Sequence, residues 1–333
     1  MTAGMRHTDR VRAVVYDRYG GVERLRMVDL PTPDPGPGDV LVEVVATGLN
    51  LSDWETLHGS PAYARLGGMF RPRRRVLGSD IAGRVAAVGP GVTQWTVGDE
   101  VYGDNLDRKG GFAEYAVAPA HALARKPAAL TFAQAAAIPQ SAAIAAQAVA
   151  RAHTGERMLL NGAGGGVGAF AIPLAAASGV HLTGVDNADK LDLMRELGAT
   201  DVIDYRETDF TRTGPYDVIV DLVAQRSPIA YRGALAPGGR ALVVGGPVRV
   251  LLGMLTVGAV IGAVTGRRLG VLAVREGPAH FAAVADAVVA GDLQVVIDRE
   301  YPLERVAEAL TRHGEGRALG KVVVRVGDGP VTQ

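Results

Sequence analysis

Two short stretches carry residue types at spacings that could do chemistry. The first is LLNGAGGGVGAF, Leu159 to Phe170, which follows a strand-like run and opens a helix-like one. With Ala163, Gly165 and Gly168 it reads A-x-G-x-x-G, a one-residue variant of the dinucleotide fingerprint. Small residues let the backbone turn sharply and approach a pyrophosphate, whose charge then rests on the helix N-terminus. Gly164, Gly166 and Val167 complete the candidate loop. A bare glycine run is equally a tight turn, but here an acid closes the next strand-like piece. Asp186 ends HLTGVD, 18 residues after Gly168. A carboxylate there bonds the ribose 2′-hydroxyl of NADH and repels the 2′-phosphate of NADPH. The plainer alternative makes Asp186 the N-cap of the segment that follows. The second stretch ends at Asn50, where the strand-like run DVLVEVVATGLN passes into a loop. That is a suitable place for a short, rigid hydrogen-bond donor, or for a turn residue that bonds its own backbone. A donor acting in a site should be dispensable for folding.

Other chemistries are poorly supplied. Cysteine is absent, which excludes disulfides, thiolate nucleophiles and sulfur-ligated zinc. The seven histidines are scattered, no pair has metal-ligand spacing, and no acidic cluster replaces them. His58 reads as a surface residue near the Asn50 loop. The basic run RPRRR, Arg71 to Arg75, reads as a solvated loop, with an anion-steering mouth as the sharper alternative. Lys plus Arg and Asp plus Glu both number 35, so no global field favours nucleic acid or an anionic membrane. The N-terminal MTAGMRHTDR is polar and has no signal-peptide core, so a cytoplasmic location is expected.

The elements that must position these residues fall into two characters. Up to about residue 130 the chain is a series of strand candidates between Gly and Pro turns: VRAVVYD, DVLVEVVATG, IAGRVAAVG, EVYGD and FAEYAVAP. At Thr131 a capping box, TFAQ, opens an alanine-rich helix that Pro139 must kink or divide. Strands and helices then alternate, with apolar runs suited to burial on both faces, which predicts an α/β, doubly wound parallel sheet. RALVVGG, closing in Gly245 and Gly246, is one of its strands, and those two glycines are assigned to the cofactor site. Val250 to Gly266 is apolar throughout and flanked by Arg249, Arg267 and Arg268. Its length lies at the bottom of the range for spanning a bilayer, and it separates two strand-like pieces that a spanning helix would tear apart. A buried or interface helix is expected, with membrane docking the lesser alternative.

In order along the chain, VLGSDIAGRVAAVGPGVTQWTVGDEVYG, GGFAEYAVAP, NGAGGGVGAFA, LGATDVIDY and ALGKVVVRV resemble the medium-chain dehydrogenase/reductase superfamily, in its zinc-free quinone oxidoreductase branch. The resemblance runs from Val11 to Val326. It implies a GroES-like β-rich catalytic domain from residues 1–130 and 276–333, a Rossmann domain over 131–275, and a homodimer. In the zinc alcohol dehydrogenases of the superfamily a cysteine ligand stands where this chain has Asn50, and a histidine ligand where it has Ser79. The resemblance therefore implies a site without zinc, and Asn50 is similar to the asparagine beside the nicotinamide in quinone reductases. Lys190 and Tyr205 resemble the pair that holds the 2′-phosphate of NADPH, while Asp186 argues for NADH, so both cofactors stay open.

Two positions depart from the branch. Glu55 replaces a tyrosine, and AAIA, Ala142 to Ala145, puts Ile144 in place of a threonine; each change removes a hydroxyl. The expected activity is hydride transfer from NADPH or NADH to a small quinone or α,β-unsaturated carbonyl compound. The alternatives are a zinc-free carbonyl or alcohol oxidoreductase, and an NAD(P)H-binding redox sensor with little turnover.

Overall fold

The computed structural model describes residues 10–66 and 68–327; the polar run 1–9 lies outside them. Six parallel strands form one sheet, in the spatial order Asp201–Asp204, His181–Asp186, Arg157–Asn161, Tyr216–Asp221, Leu235–Val243 and Arg268–Val271. The chain starts in the middle, steps outward on one side, then returns to fill the other. The order reverses between Arg157–Asn161 and Tyr216–Asp221, and ligands of such sheets bind outside the carboxyl ends of the strands at that point. The central strands are apolar without alternation because helices cover both faces. Met158, Leu159, Leu160, Val218, Ile219 and Val220 are all fully buried.

A second, mostly antiparallel sheet has the order Ile297–Pro302, Lys321–Arg325, Asp39–Gly48, Asp80–Val88, Glu100–Asp104 and Leu123–Arg125, with Tyr115–Pro119 also on Asp39–Gly48. Both ends of the chain build this body: Val324 pairs with Thr47. The five strands expected in the first 130 residues are present. Three others had no clear sequence signal: Arg26–Pro31, Leu123–Arg125 and Ile297–Pro302. They are short or rich in charge and proline, and the last two lie at the ends of the sheet, where a one-sided surface asks for no apolar alternation.

The helix starts follow the sequence closely. Thr131 Oγ1 accepts the Gln134 N–H at 3.1 Å, and the Gln134 side chain accepts the Thr131 N–H at 2.9 Å. Pro139 divides the expected helix into Phe132–Ala137 and Pro139–Val149, taking the first position of the second, where its missing N–H costs nothing.

Of the two alternatives for the apolar segment, a buried or an interface helix, the first is overturned. It forms two helices, Val248–Leu255 and Val257–Thr265, and only 17% of it is buried. Val250, Met254 and Gly258 face inward, whereas Leu252, Leu255, Val260 and Val264 are exposed. The helices pack on Arg268–Val271, the outermost strand of the parallel sheet, and among the described residues no further layer covers them. The segment is long and apolar enough to cross a membrane. Yet the strands on either side of it are direct neighbours, with Ala241 paired to Leu269, so both of its ends are tied to one sheet edge.

Candidate active site

Asn50 is the N-cap of the helix Leu51–His58. The Asp53 carboxylate accepts the Asn50 N–H at 3.2 Å and the Gly78 N–H at 3.1 Å, and receives Lys109 Nζ at 3.2 Å. Asp53 thus secures the turn, and the Asn50 side chain is spent elsewhere. Its Nδ2 donates to Ser79 Oγ at 3.1 Å, and its Oδ1 accepts from Lys321 Nζ at 2.7 Å. An ammonium can only donate, which obliges Asn50 to turn its oxygen toward Lys321 and its NH2 toward Ser79. Asn50 is 4% exposed. Removing it would leave two buried partners short, at about 1–3 kcal/mol. The expectation that it is dispensable for folding is corrected accordingly.

Lys321 opens the last strand and is 1% exposed. Besides Asn50 it reaches Leu49 O at 3.0 Å, Ser141 Oγ at 3.1 Å and Asp80 Oδ2 at 3.5 Å. Asp80 is fully buried and also accepts the Gln140 N–H at 3.1 Å. Burial pushes the Asp80 carboxyl up against the pull of Lys321, and burial pushes the Lys321 ammonium down against the pull of Asp80.

This cluster touches the fingerprint. A Cβ on Gly166 would lie 2.5 Å from Lys321 Cδ and 3.1 Å from Ser141 Oγ. Gly320 N donates to Gly164 O at 3.3 Å, which docks the last strand on the loop.

Within the fingerprint the small residues do separate things. At Gly168 a Cβ would lie 1.8 Å from Ala163 O, so glycine there permits close packing of helix on strand. At Gly165, the N-cap of Gly166–Ala177, a Cβ would meet only Gly162 O at 3.7 Å. That space is open to a ligand's phosphates at the helix N-terminus, so the loop fits a dinucleotide. Val167 is half-buried in the first turn.

Asp186 lies at the end of its strand beside this loop. Oδ2 accepts the Gly164 N–H and Oδ1 the Asn187 N–H, both at 2.9 Å, and Lys190 Nζ lies 3.3 Å from Oδ1. The N-cap of the next short helix is Asn187, not Asp186. The half-exposed Tyr205 donates its N–H to Asp186 O, so its backbone lies beside Asp186, with which Lys190 pairs. Gly245 and Gly246, at φ of 66° and 99°, turn the chain after Leu235–Val243.

The two hydroxyls missing by comparison with the quinone reductases have counterparts at neighbouring positions. Ser141 precedes AAIA and bonds Lys321. Tyr63 brings its hydroxyl to 3.4 Å from both oxygens of Glu55 and accepts the Gly246 N–H at 3.1 Å. Lys321, Asp80, Ser141 and Tyr63 were not singled out in the sequence. Lys321 and Asp80 do carry a signal: each is a charge at the head of an apolar strand, KVVVR or DIAGRVAAV, and a charge so placed must be paired. Tyr63 carries none.

His58 is half-buried, with Nδ1 2.9 Å from Trp54 O and its ring against Trp54, so the surface reading is corrected. Arg71, Arg73, Arg74 and Arg75 are exposed, as a solvated run requires. A cavity of about 290 Å³ lined by Val11, Leu30, Arg74, Arg108 and Tyr115 includes no fingerprint residue.

Residues 36–128 match the alcohol dehydrogenase GroES-like domain, and residues 197–324 match the zinc-binding dehydrogenase family. Together with the reversed parallel sheet and the β body that contributes Asn50, these place the chain in the medium-chain dehydrogenase/reductase superfamily. Within it, the chain belongs to the quinone oxidoreductase-like branch. It is 32% identical to human quinone oxidoreductase over 94% of this chain and 97% of that one. It is 29% identical to a chloroplastic quinone-oxidoreductase of Triphysaria versicolor, over 94% and 98%. Among solved structures, the quinone oxidoreductase of Coxiella burnetii superposes with a TM-score of 0.84 at 27% identity, covering 96% of this chain and all of that one. A mycobacterial protein complexed with NADPH gives 0.79 at 26% identity, over 95% and all of its length.

The Asp186–Lys190 pair sets a test of cofactor choice. A 2′-phosphate must take Lys190 from Asp186 and lie near that carboxylate, which at an effective dielectric near 20 costs on the order of a few kcal/mol. Asp186→Ala is expected to shift the ratio of Kd values toward NADPH, and Lys190→Ala toward NADH. Asp186 also holds Gly164, so absolute affinities for both cofactors should fall and only the ratio is diagnostic. Equal ratios in both variants and the wild type, by fluorescence titration, would show that the ribose lies elsewhere.

Proposed function

We propose that the protein, an NAD(P)H-dependent oxidoreductase, reduces quinones or α,β-unsaturated carbonyl compounds without a metal. The observation that carries this reading is the contact set at Asn50, Ser79 and Lys321. At the two positions where zinc dehydrogenases of the superfamily hold their ion, this chain has an amide and a hydroxyl bonded to each other at 3.1 Å. A buried ammonium sits 2.7 Å from the amide oxygen. Zinc requires thiolate, imidazole or carboxylate donors and would face that ammonium; these residues do not fit it.

A quinone or enone is already electrophilic and needs no Lewis acid. Bound NAD(P)H supplies the hydride. The protein's part is to orient the reactants and to place donors where negative charge collects on the carbonyl oxygen. Asn50 suits that part, since Lys321 fixes which end of its amide carries the donors. Oxidation of an alcohol is the weaker reading, because an alcohol must lose a proton to a base or a metal.

Purified protein is expected to hold far less than one zinc per chain and to keep its activity in chelators. One zinc per chain, with activity lost to chelators, would sink the metal-free assignment.

Asn50→Ala is expected to lower the rate of enone or quinone reduction by roughly 10- to 1,000-fold, the span from lost orientation to a lost oxyanion donor. Its stability should fall by no more than about 1–3 kcal/mol. With stereospecifically deuterated cofactor, one deuterium should appear at the β-carbon of an enone. Deuterium at a carbinol carbon would mean carbonyl reduction instead. An unchanged rate per folded Asn50→Ala molecule would remove Asn50 from the site.

A homodimer is proposed as well. The exposed apolar face of Val248–Thr265 and the outermost strand Arg268–Val271 give a second copy both an apolar surface and a sheet edge to pair with. Sedimentation equilibrium should return twice the chain mass of 34.6 kDa, and a Leu252→Lys, Val260→Lys double variant should fall to the single mass. A wild-type monomer at micromolar concentration would refute the dimer.

A further inference from the structure

We propose that Glu55 is the proton source of the reduction and that Tyr63 carries its proton to the anion left by hydride transfer. The inference rests on the proposed reaction and assigns its second half, which would otherwise fall to solvent. Glu55 lies on the helix that Asn50 begins, and Tyr63 on the short turn Ala62–Arg65 that follows. The Tyr63 hydroxyl stands 3.4 Å from each Glu55 oxygen and accepts the Gly246 N–H at 3.1 Å. A Cβ on Gly245 would lie 3.4 Å from that same hydroxyl. The pair therefore joins the catalytic body to the glycine turn outside the carboxyl end of Leu235–Val243, on the side where such sheets bind ligands. Burial and the neighbouring Glu55 push the Tyr63 phenol up, and the Gly246 N–H, which points at its oxygen, offsets part of that cost as the proton leaves.

Among the described residues, none of the cations around Glu55 is paired with it. Lys109 acts on it from a distance, but its Nζ is held by Asp53 at 3.2 Å. Arg65, on the same turn as Tyr63, donates to Gly59 O and lies over the Tyr19 ring. His58, on the same helix, faces Trp54 O. His313, on the helix Val306–Gly314 that packs against this one, is held neutral by burial, its pKa lowered to about 4. Burial raises the Glu55 carboxyl to about 7, with Tyr63 and Lys109 pulling the other way. A carboxyl there is half protonated at neutral pH, as a general acid should be.

The step balances. Hydride adds to the β-carbon of the enone, and the C=C pair moves to leave an enolate. The Tyr63 O–H bond breaks as its proton bonds the α-carbon. The Glu55 O–H proton passes to the phenolate, and water returns a proton to the carboxylate. The sum is NAD(P)H, one proton and the enone giving NAD(P)+ and the saturated carbonyl compound.

The test joins a pH profile to a direct titration. Only protonated Glu55 has a proton to give, so wild-type kcat should fall as pH rises through about 7. Glu55→Gln should remove that limb and lower kcat roughly 100-fold, while the Kd for NAD(P)H stays unchanged. Tyr63→Phe should lower kcat similarly. In protein labelled with 13C-carboxyl glutamate, a resonance titrating near pH 7 should vanish in Glu55→Gln. A purely structural pair would move the melting temperature and leave the limb in place. Glu55 titrating in the ordinary carboxylate range, or the limb persisting in Glu55→Gln, overturns the proton step while the reaction stands. A resonance near pH 7 with no NAD(P)H consumed by any quinone or enone overturns the reaction and this step with it.

Discussion

The ammonium of Lys321 is the interaction on which the rest of the site depends. It comes from the last strand of the β body, yet its contacts are distributed over both halves of the molecule: Asn50 and Asp80 on one side, Ser141 and the underside of Gly166 on the other. A buried ion pair adds little net stability over a well-packed apolar pair, because desolvation offsets the attraction. Breaking one is a different matter, at about 3–5 kcal/mol, since a lone charge stays behind. The pair is therefore better understood as a constraint than as a source of stability. With Asp80 fixed by Gln140 and Lys321 fixed by Asp80, the orientation of the Asn50 amide follows, and the helix beginning at Asn50 is held in register with the fingerprint.

Much of the fold was legible because its signals are local. Continuous apolar runs, the Thr131 capping box and Pro139 each act within a few residues, and each produced the element expected. The fingerprint was legible for the same reason: a turn, an open cradle at Gly165 and close packing at Gly168 are requirements on one loop. Edge strands such as Ile297–Pro302 escaped because half their surface faces water and imposes no pattern. The apolar run at Val250 left burial and interface open for a related reason. Composition says that a helix has an apolar surface; it does not say whether another layer of the chain covers it. Here the sheet ends one strand away, at Arg268–Val271, and the surface is left uncovered by the described residues.

The candidate site was legible only where one residue carries the chemistry. Asn50 and Asp186 could be picked out singly, but their partners arrive through tertiary structure. Lys321 is 271 positions from Asn50, and Tyr63 is 183 positions from Gly246. Asp186 shows what this omits. From the sequence it is a ribose ligand in competition with Lys190. In the structure it also anchors the Gly164 N–H and pairs with Lys190, so the carboxylate that would discriminate between cofactors also shapes the loop that would hold them.

The Lys321 ammonium cannot act on a substrate oxygen directly, because its protons are taken by Leu49, Asn50 and Ser141. Its field acts through the Asn50 amide, which it polarises and orients. On the proposed reaction, such a site stabilises charge that forms on a conjugated carbonyl. On the same proposal the proton that finishes the reaction comes from Glu55, whose carboxyl lies 3.4 Å from the Tyr63 hydroxyl that accepts the Gly246 N–H.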